Sequence, residues 1–231
     1  MNAFEKFIQD LYGAVIREDR WQLYLEGLKN TVLIALTACL IGIFIGLIVS
    51  TIKYVAATKE SRLWKAAAAL CSAYTTVIRG TPIIVQLLIL YNLSYFTEGL
   101  YASIIGFGIN SGAYVSEIFR SGLNSIDIGQ KEAGRSLGLG QWKTMRLIIL
   151  PQAVKNTLPA LFNEFIALLK ETSVAGYIAV RDLTKVADGI RGRTFNSIPL
   201  YLAAFLYLIL VAGMAALQKR MEKRLARSDR G

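Results

Sequence analysis

Apolar residues run without a charge from Thr31 to Ile52, TVLIALTACLIGIFIGLIVSTI. A helix of about 20 mostly apolar residues crosses the hydrocarbon core of a bilayer, so this stretch predicts a first membrane span. Gly42 and Gly46 within it sit at the spacing that lets helix backbones approach closely. A second apolar stretch, 66–97, is too long at about 1.5 Å per residue to be one straight span. It must tilt, kink or lie partly on the surface. Arg79-Gly80-Thr81-Pro82 marks the break, because proline lacks a backbone donor and restricts the residue before it. Weaker apolar stretches predict further spans at 101–119, which holds Asn110 and Glu117, at 152–171 and at 198–217. Upstream, Phe4, Phe7, Ile8, Leu11 and Tyr12 recur at helical spacing. They predict an external, interfacial amphipathic helix within residues 1–30. A polar loop fills 173–197, and a basic tail occupies 221–231.

Composition agrees with this pattern: 54% of the 231 residues are hydrophobic, well above what a soluble domain carries. The expected fold class is an all-α integral membrane protein with about five transmembrane helices. The formal charge of +10 does not point to nucleic acid, since no basic stripe with interleaved aromatics appears outside the spans. Lys and Arg cluster instead at the ends of apolar runs. With 53–65, 120–146 and the C-terminal 218–231 on one side, that side holds fifteen of the 26 Lys and Arg, against eight on the other. The positive-inside rule then places the N-terminus outside and the C-terminus in the cytoplasm. Five spans also require opposite sides for the two ends.

Chemistry is sparse. There is no histidine, which removes the commonest general base and metal ligand. Cys39 and Cys71 have no CxxC spacing and read as packing residues. No catalytic or metal site is expected, and no GxxxxGK[ST] phosphate loop occurs, so this chain is not an ATP-driven motor. The N-terminal MNAFEKFIQDLYG lacks the basic-then-apolar order of a cleaved signal.

The remaining peculiarity is the charged, glycine-punctuated segment 127–150, which the cation count places in the cytosol. Asp127 followed by Gln130 has the form of a capping box. A short helix is expected from there through Glu132, Arg135 and Leu137, closed by Gly138-Leu139-Gly140. A second short helix starts at Gln141. The exposed tip of this helix-turn-helix offers Leu137, Leu139, Trp142 and Met145, more apolar surface than a connector needs. A groove on a partner protein is one destination, and an amphipathic loop against lipid headgroups is the other.

Glu132-Ala133-Gly134, three residues, Gly138, nine residues, Ile148, one residue and Leu150-Pro151 resembles the EAA loop of permease subunits from bacterial binding-protein-dependent ABC importers. Its pattern is EAA-x3-G-x9-I-x-LP, and Gly134 is the one departure. RGTPIIVQ (79–86), AYVSEIFRSGLNSI (113–126), LPQA (150–153) and NEFIALLKETSV (163–174) further resemble the polar amino acid permease branch, over about residues 24–220. Asp127 stands where that branch usually has proline, and Glu171 where it usually has aspartate.

The resemblance implies the type I ABC importer transmembrane fold over 31–220, with 127–150 as the coupling loop. It implies a permease subunit of an ATP-driven amino acid uptake system in the bacterial inner membrane. The expected partners are two ABC ATPase subunits, a second permease subunit that is either a copy or a related chain, and an external substrate-binding protein. ATP and Mg belong to the ATPase partner, and no cofactor is expected on this chain. Glu132, Ala133, Gly138, Leu139 and Trp142 are the expected ATPase-coupling residues. An ionisable residue at membrane depth is a functional candidate, so Glu164, with neighbouring Asn163 after the helix-opening Pro159, is expected to meet a cationic part of a polar or basic L-amino acid. A salt bridge or hydrogen bond between helices is the other reading of Glu164. Gln86 and Asn92 either line the pathway or join helices, and Arg79 and Glu117 are candidates to pair. An ion-coupled transporter, a passive channel and a permease for an opine-like acid are the alternatives. The first two have no need of an EAA-type tip.

Overall fold

The computed structural model describes residues 2–93 and 98–228. The last four positions of the predicted 66–97 stretch and the last three of the tail lie outside the described residues. Ten helices are described: α1 (Ala3–Val15), α2 (Arg20–Thr58), α3 (Arg62–Gly80), α4 (Ile83–Leu93), α5 (Gly99–Asn124), α6 (Ile128–Ser136), α7 (Gln141–Thr144), α8 (Leu150–Glu171), α9 (Leu183–Thr194) and α10 (Ile198–Ser228). A π-helical turn, Met145–Ile149, joins α7 to α8, and 3-10 turns lie at Arg17–Asp19 and Thr172–Ile178. No strand occurs among the described residues.

Two of these helices, α2 and α10, are both long and apolar enough to cross a membrane, and α3 with α4 forms a broken third candidate. The break falls where the sequence predicts it, with Thr81 extended at φ −121° and ψ 145°. At 26 and 22 residues, α5 and α8 exceed the roughly 30 Å of a bilayer core at 1.5 Å per residue. Polar residues such as Asn110, Ser111 and Glu164 dilute their hydropathy. Asn110 and Ser111 are buried inside the protein.

The chain divides into two compact units: 1–38, 83–107 and 166–216 in the first, and 39–82, 108–165 and 217–231 in the second. In the first, the positive φ of Glu18 and Asp19 turns α1 away from α2. Buried Arg20 braces that corner by donating to the Gly13 carbonyl at 2.6 Å and pairing with Glu18 at 3.0 Å. Phe4, Phe7, Ile8 and Tyr12 are exposed and Leu11 is half-buried. The core gathers Tyr24, Leu183, Val186, Ala187, Ile190 and Ala203; Leu183, Val186, Ala187 and Ile190 recur at helical spacing along α9. Fully buried Asp182 caps α9, accepting from the Thr184 and Lys185 amides at 2.8 and 3.2 Å. Loss of hydration pushes its carboxyl above the usual range, against the pull of those bonds.

In the second unit the packing rests on small residues. A Cβ on Gly42 or Gly46 of α2 would press on Ser111 or Val115 of α5, and one on Gly108 or Gly112 would press on Ile41 or Ile45. Each helix thus supplies glycines where the other supplies side chains, the close approach expected at Gly42 and Gly46. Hydrogen bonds from Tyr74 to the Ile109 carbonyl and from Gln218 to that of Pro159 add to the unit. Pro159 does not open α8, which continues through it. One proline removes a single intrahelical bond, and the regular helix resumes on either side.

Candidate functional site

The coupling segment folds as two short helices closed on themselves. Asp127 caps α6 by accepting from the Gly129 amide at 2.6 Å. The expected reciprocal bond, the Asp127 amide donating to Gln130, is not made; Gln130 Oε1 accepts from Gln152 at 3.5 Å. At the other end Gly138 takes φ +79°, a conformation that costs L-residues about 1 kcal/mol or more. The Leu139 amide donates to the Gly134 carbonyl and the Gly138 amide to that of Arg135, at 3.1 and 3.0 Å. This is the Schellman closure. The chain then reverses through Gly140 into α7, where buried Thr144 donates to the Gly140 carbonyl at 3.2 Å.

Leu137 is 80% and Trp142 75% exposed, and Glu132 and Ala133 are exposed beside them. Leu139 and Met145 are half-buried, so the apolar tip is narrower than the sequence predicts. The reversal at Gly138 turns Leu139 inward, and the π-helical turn begins at Met145. Gly134 is buried and allows α6 to lie against Thr144 and Ile148.

The second feature is a cavity of about 710 Å³ in the same unit. Arg79 from the end of α3, Tyr114 and Glu117 from α5, Lys155 and Glu164 from α8, and Glu222 from α10 line it. Glu164 accepts a hydrogen bond from buried Ser111 at 2.9 Å. The Arg79 guanidinium lies 5.3 Å from the centre of the Tyr114 ring, within the reach of a cation–π contact.

The expected pairing of Arg79 with Glu117 is not what forms. Glu117 binds Lys53 at 3.2 Å and Arg120 at 2.7 Å, and Lys53 also donates to Thr75 at 3.0 Å. Arg120 lies one turn along α5 from Glu117, which makes it the nearer cation. Asn163, about 100° round the helix from Glu164, is exposed. Gln86 is half-buried on α4 in the first unit, whereas Asn163 and Glu164 belong to the second. Asn92 donates to the Leu88 carbonyl of its own helix at 2.7 Å. Tyr114, Ser111 and Glu222 stand at the site without having been predicted from the sequence. Small Ser111 beside Gly112 signals a close helix crossing, as Gly42 and Gly46 do, but not a pathway residue.

Residues 42–227 match the family described as the inner membrane component of binding-protein-dependent transport systems. The chain belongs to this family. As an inner membrane component of such a system it is a multi-pass transport subunit, not an enzyme, and an ion-coupled transporter or passive channel is not favoured. The arginine transport system permease protein ArtQ of Bacillus subtilis (strain 168) is 36% identical over 211 residues, covering 89% of this chain and 93% of the relative. A putative glutamine transport system permease protein GlnP of Rickettsia felis (strain ATCC VR-1525 / URRWXCal2) is 36% identical over 206 residues, 87% of this chain and 91% of the relative. Among solved structures, an amino acid ABC transporter crystallised with histidines is 38% identical with a TM-score of 0.81, over 88% of this chain and 94% of that chain. An inward-facing MetNI methionine ABC transporter reaches a TM-score of 0.78 at 20% identity, over 91% of this chain and 99% of that one. The fold is that of the transmembrane subunits of type I ABC importers.

Proposed function

We propose that this chain forms the translocation pathway of an ATP-driven importer for a polar or basic L-amino acid. The observation that carries the reading is the cavity holding both Arg79 and Glu164. An amino acid zwitterion presents a carboxylate and an ammonium group, and the cavity, lined by both cations and carboxylates, can complement each. Arg79 takes the carboxylate, a geometry its guanidinium suits. Glu164, oriented by Ser111, takes the ammonium or a basic side chain. Asn163, beside Glu164 on α8, is a candidate for a further substrate contact. Relatives named for arginine and glutamine transport support a polar or basic substrate. The family's dependence on a binding protein supports an importer.

The partners follow from the same reading. An external binding protein delivers the solute, and a second permease subunit, a copy or a related chain, completes the pathway. Two ATPase subunits, which bind the ATP and Mg, dock on the exposed Glu132, Ala133, Leu137 and Trp142, with Gly138 and Leu139 setting the turn. The N-terminus faces outward and the basic C-terminus the cytoplasm, the orientation that the distribution of Lys and Arg favours. ATPase closure pushes the coupling segment and rocks the spans between inward-open and outward-open states.

Binding to the purified membrane complex tests the site across a panel of amino acids and an opine. Glu164→Gln should weaken binding of the preferred amino acid about tenfold or more, the scale of a lost charged hydrogen bond. Unchanged affinity would remove Glu164 from the site.

A further inference from the structure

A groove of about 450 Å³ opens in the second unit beside the coupling segment. Leu47 of α2, Phe119 and Leu123 of α5, and Leu150 and Val154 of α8 form its apolar walls. Its volume lies within the range of about 300–1,000 Å³ usual for ligand sites. Its polar residues follow a direction along the chain. Tyr54 lies about two turns beyond Leu47 on α2, and Trp142 and Arg146 precede Leu150 on the coupling segment. A smaller cavity of about 200 Å³ shares Ser50, Tyr54 and Leu123 with the groove and adds Lys53 and Arg120. Those two cations share one carboxylate, that of Glu117. With Arg146, three cations stand here against one carboxylate.

Outward from the apolar walls the cation comes before the aromatic, Leu47, Lys53 and Tyr54 on α2 and Leu150, Arg146 and Trp142 along the coupling segment, and cations mixed with Tyr and Trp mark the level where a leaflet changes from acyl chain to headgroup. Basic pockets between membrane helices on the cytoplasmic side suit anionic lipid headgroups. We propose that the groove holds an acyl chain of an anionic phospholipid from the leaflet on the coupling-segment side, with its phosphate at Arg146, Arg120 and Lys53. A lipid seated there touches α2, α5 and the start of α8 together. It would cushion the coupling segment as that segment moves against the spans. The inference rests on the chain's membrane embedding, not on which solute it carries.

The test uses the whole transporter complex in nanodiscs of phosphatidylcholine with a minority of phosphatidylglycerol. Native mass spectrometry after release counts the retained lipids, and a benzoylphenylalanine at position 154 reports what occupies the groove. The expected result is several-fold preferential retention of phosphatidylglycerol and photo-adducts to lipid. Arg146→Gln should lower that retention about fivefold, the worth of roughly one charge near the surface. Val154→Trp, which fills the groove from its wall, should lower retention of both lipids. Equal retention of the two lipids, no effect of Arg146→Gln, or adducts at position 154 to an ATPase or second permease chain would each overturn the proposal. Arg146→Gln keeps the test decisive even where the bulkier variant fails to fold.

Discussion

At Gly134 an added Cβ would lie 2.7 Å from Cγ2 of Thr144 and 2.9 Å from Cδ1 of Ile148. Alanine would gain about 1 kcal/mol of helix propensity, offset by shifting those two side-chain ends. A leucine cannot be housed by such shifts. Gly134→Leu should therefore lower the stability of the purified protein by about 1–3 kcal/mol, read as a drop in Tm, while Gly134→Ala stays within about 1 kcal/mol of the parent. Equal Tm values for the leucine and alanine variants would show that α6 does not pack on Thr144. The sequence marks Gly134 only as a departure from a motif. Its role depends on residues ten and fourteen positions later, brought near by a chain reversal. Gly138 is different, because left-handed backbone is a property of the glycine itself, and its place as a helix terminator is legible. The partners of Glu117 were not legible, since helix rotation decides which of several nearby cations reaches it.

Helices α6 and α7 meet through a closure that proline cannot adopt, because its ring fixes φ near −65° while position 138 needs +79°. Gly138→Pro should splay the coupling segment and leave the membrane spans in place. The expected outcome is normal membrane insertion with markedly reduced copurification of the ATPase partner, and undiminished copurification would contradict the role given to this turn. Element boundaries were legible where one residue forces them: Asp127 starts α6, and Thr81-Pro82 separates α3 from α4. They were not legible at Pro159, where the helix absorbs one missing bond. Nor was there any signal for the π-helical turn at Met145–Ile149, which adds backbone without changing the apolar pattern. Polar residues weakened the apolar pattern of α5, where Asn110 and Ser111 are buried against protein, and of α8, where Glu164 bonds Ser111.

For the molecule as a whole, apolar patterning, the cation distribution and the 132–151 motif were enough to place the chain in its family. The cavity was not legible, because its walls come from α3, α5, α8 and α10, and Tyr114 or Glu222 has no sequence signature for lining it. Glu164 was visible as an ionisable residue in an apolar stretch, while Arg79 read as a structural cation. The central claim is that this chain forms a pathway whose motion is driven through its coupling segment by a separate ATPase. ATP hydrolysis and amino acid uptake measured together, in proteoliposomes holding the complex and its binding protein, test it most directly. Uptake should require ATP, and Glu132→Lys should leave hydrolysis measurable while reducing uptake about tenfold or more. Uptake that persists without ATP, or that Glu132→Lys leaves unchanged, would contradict the claim.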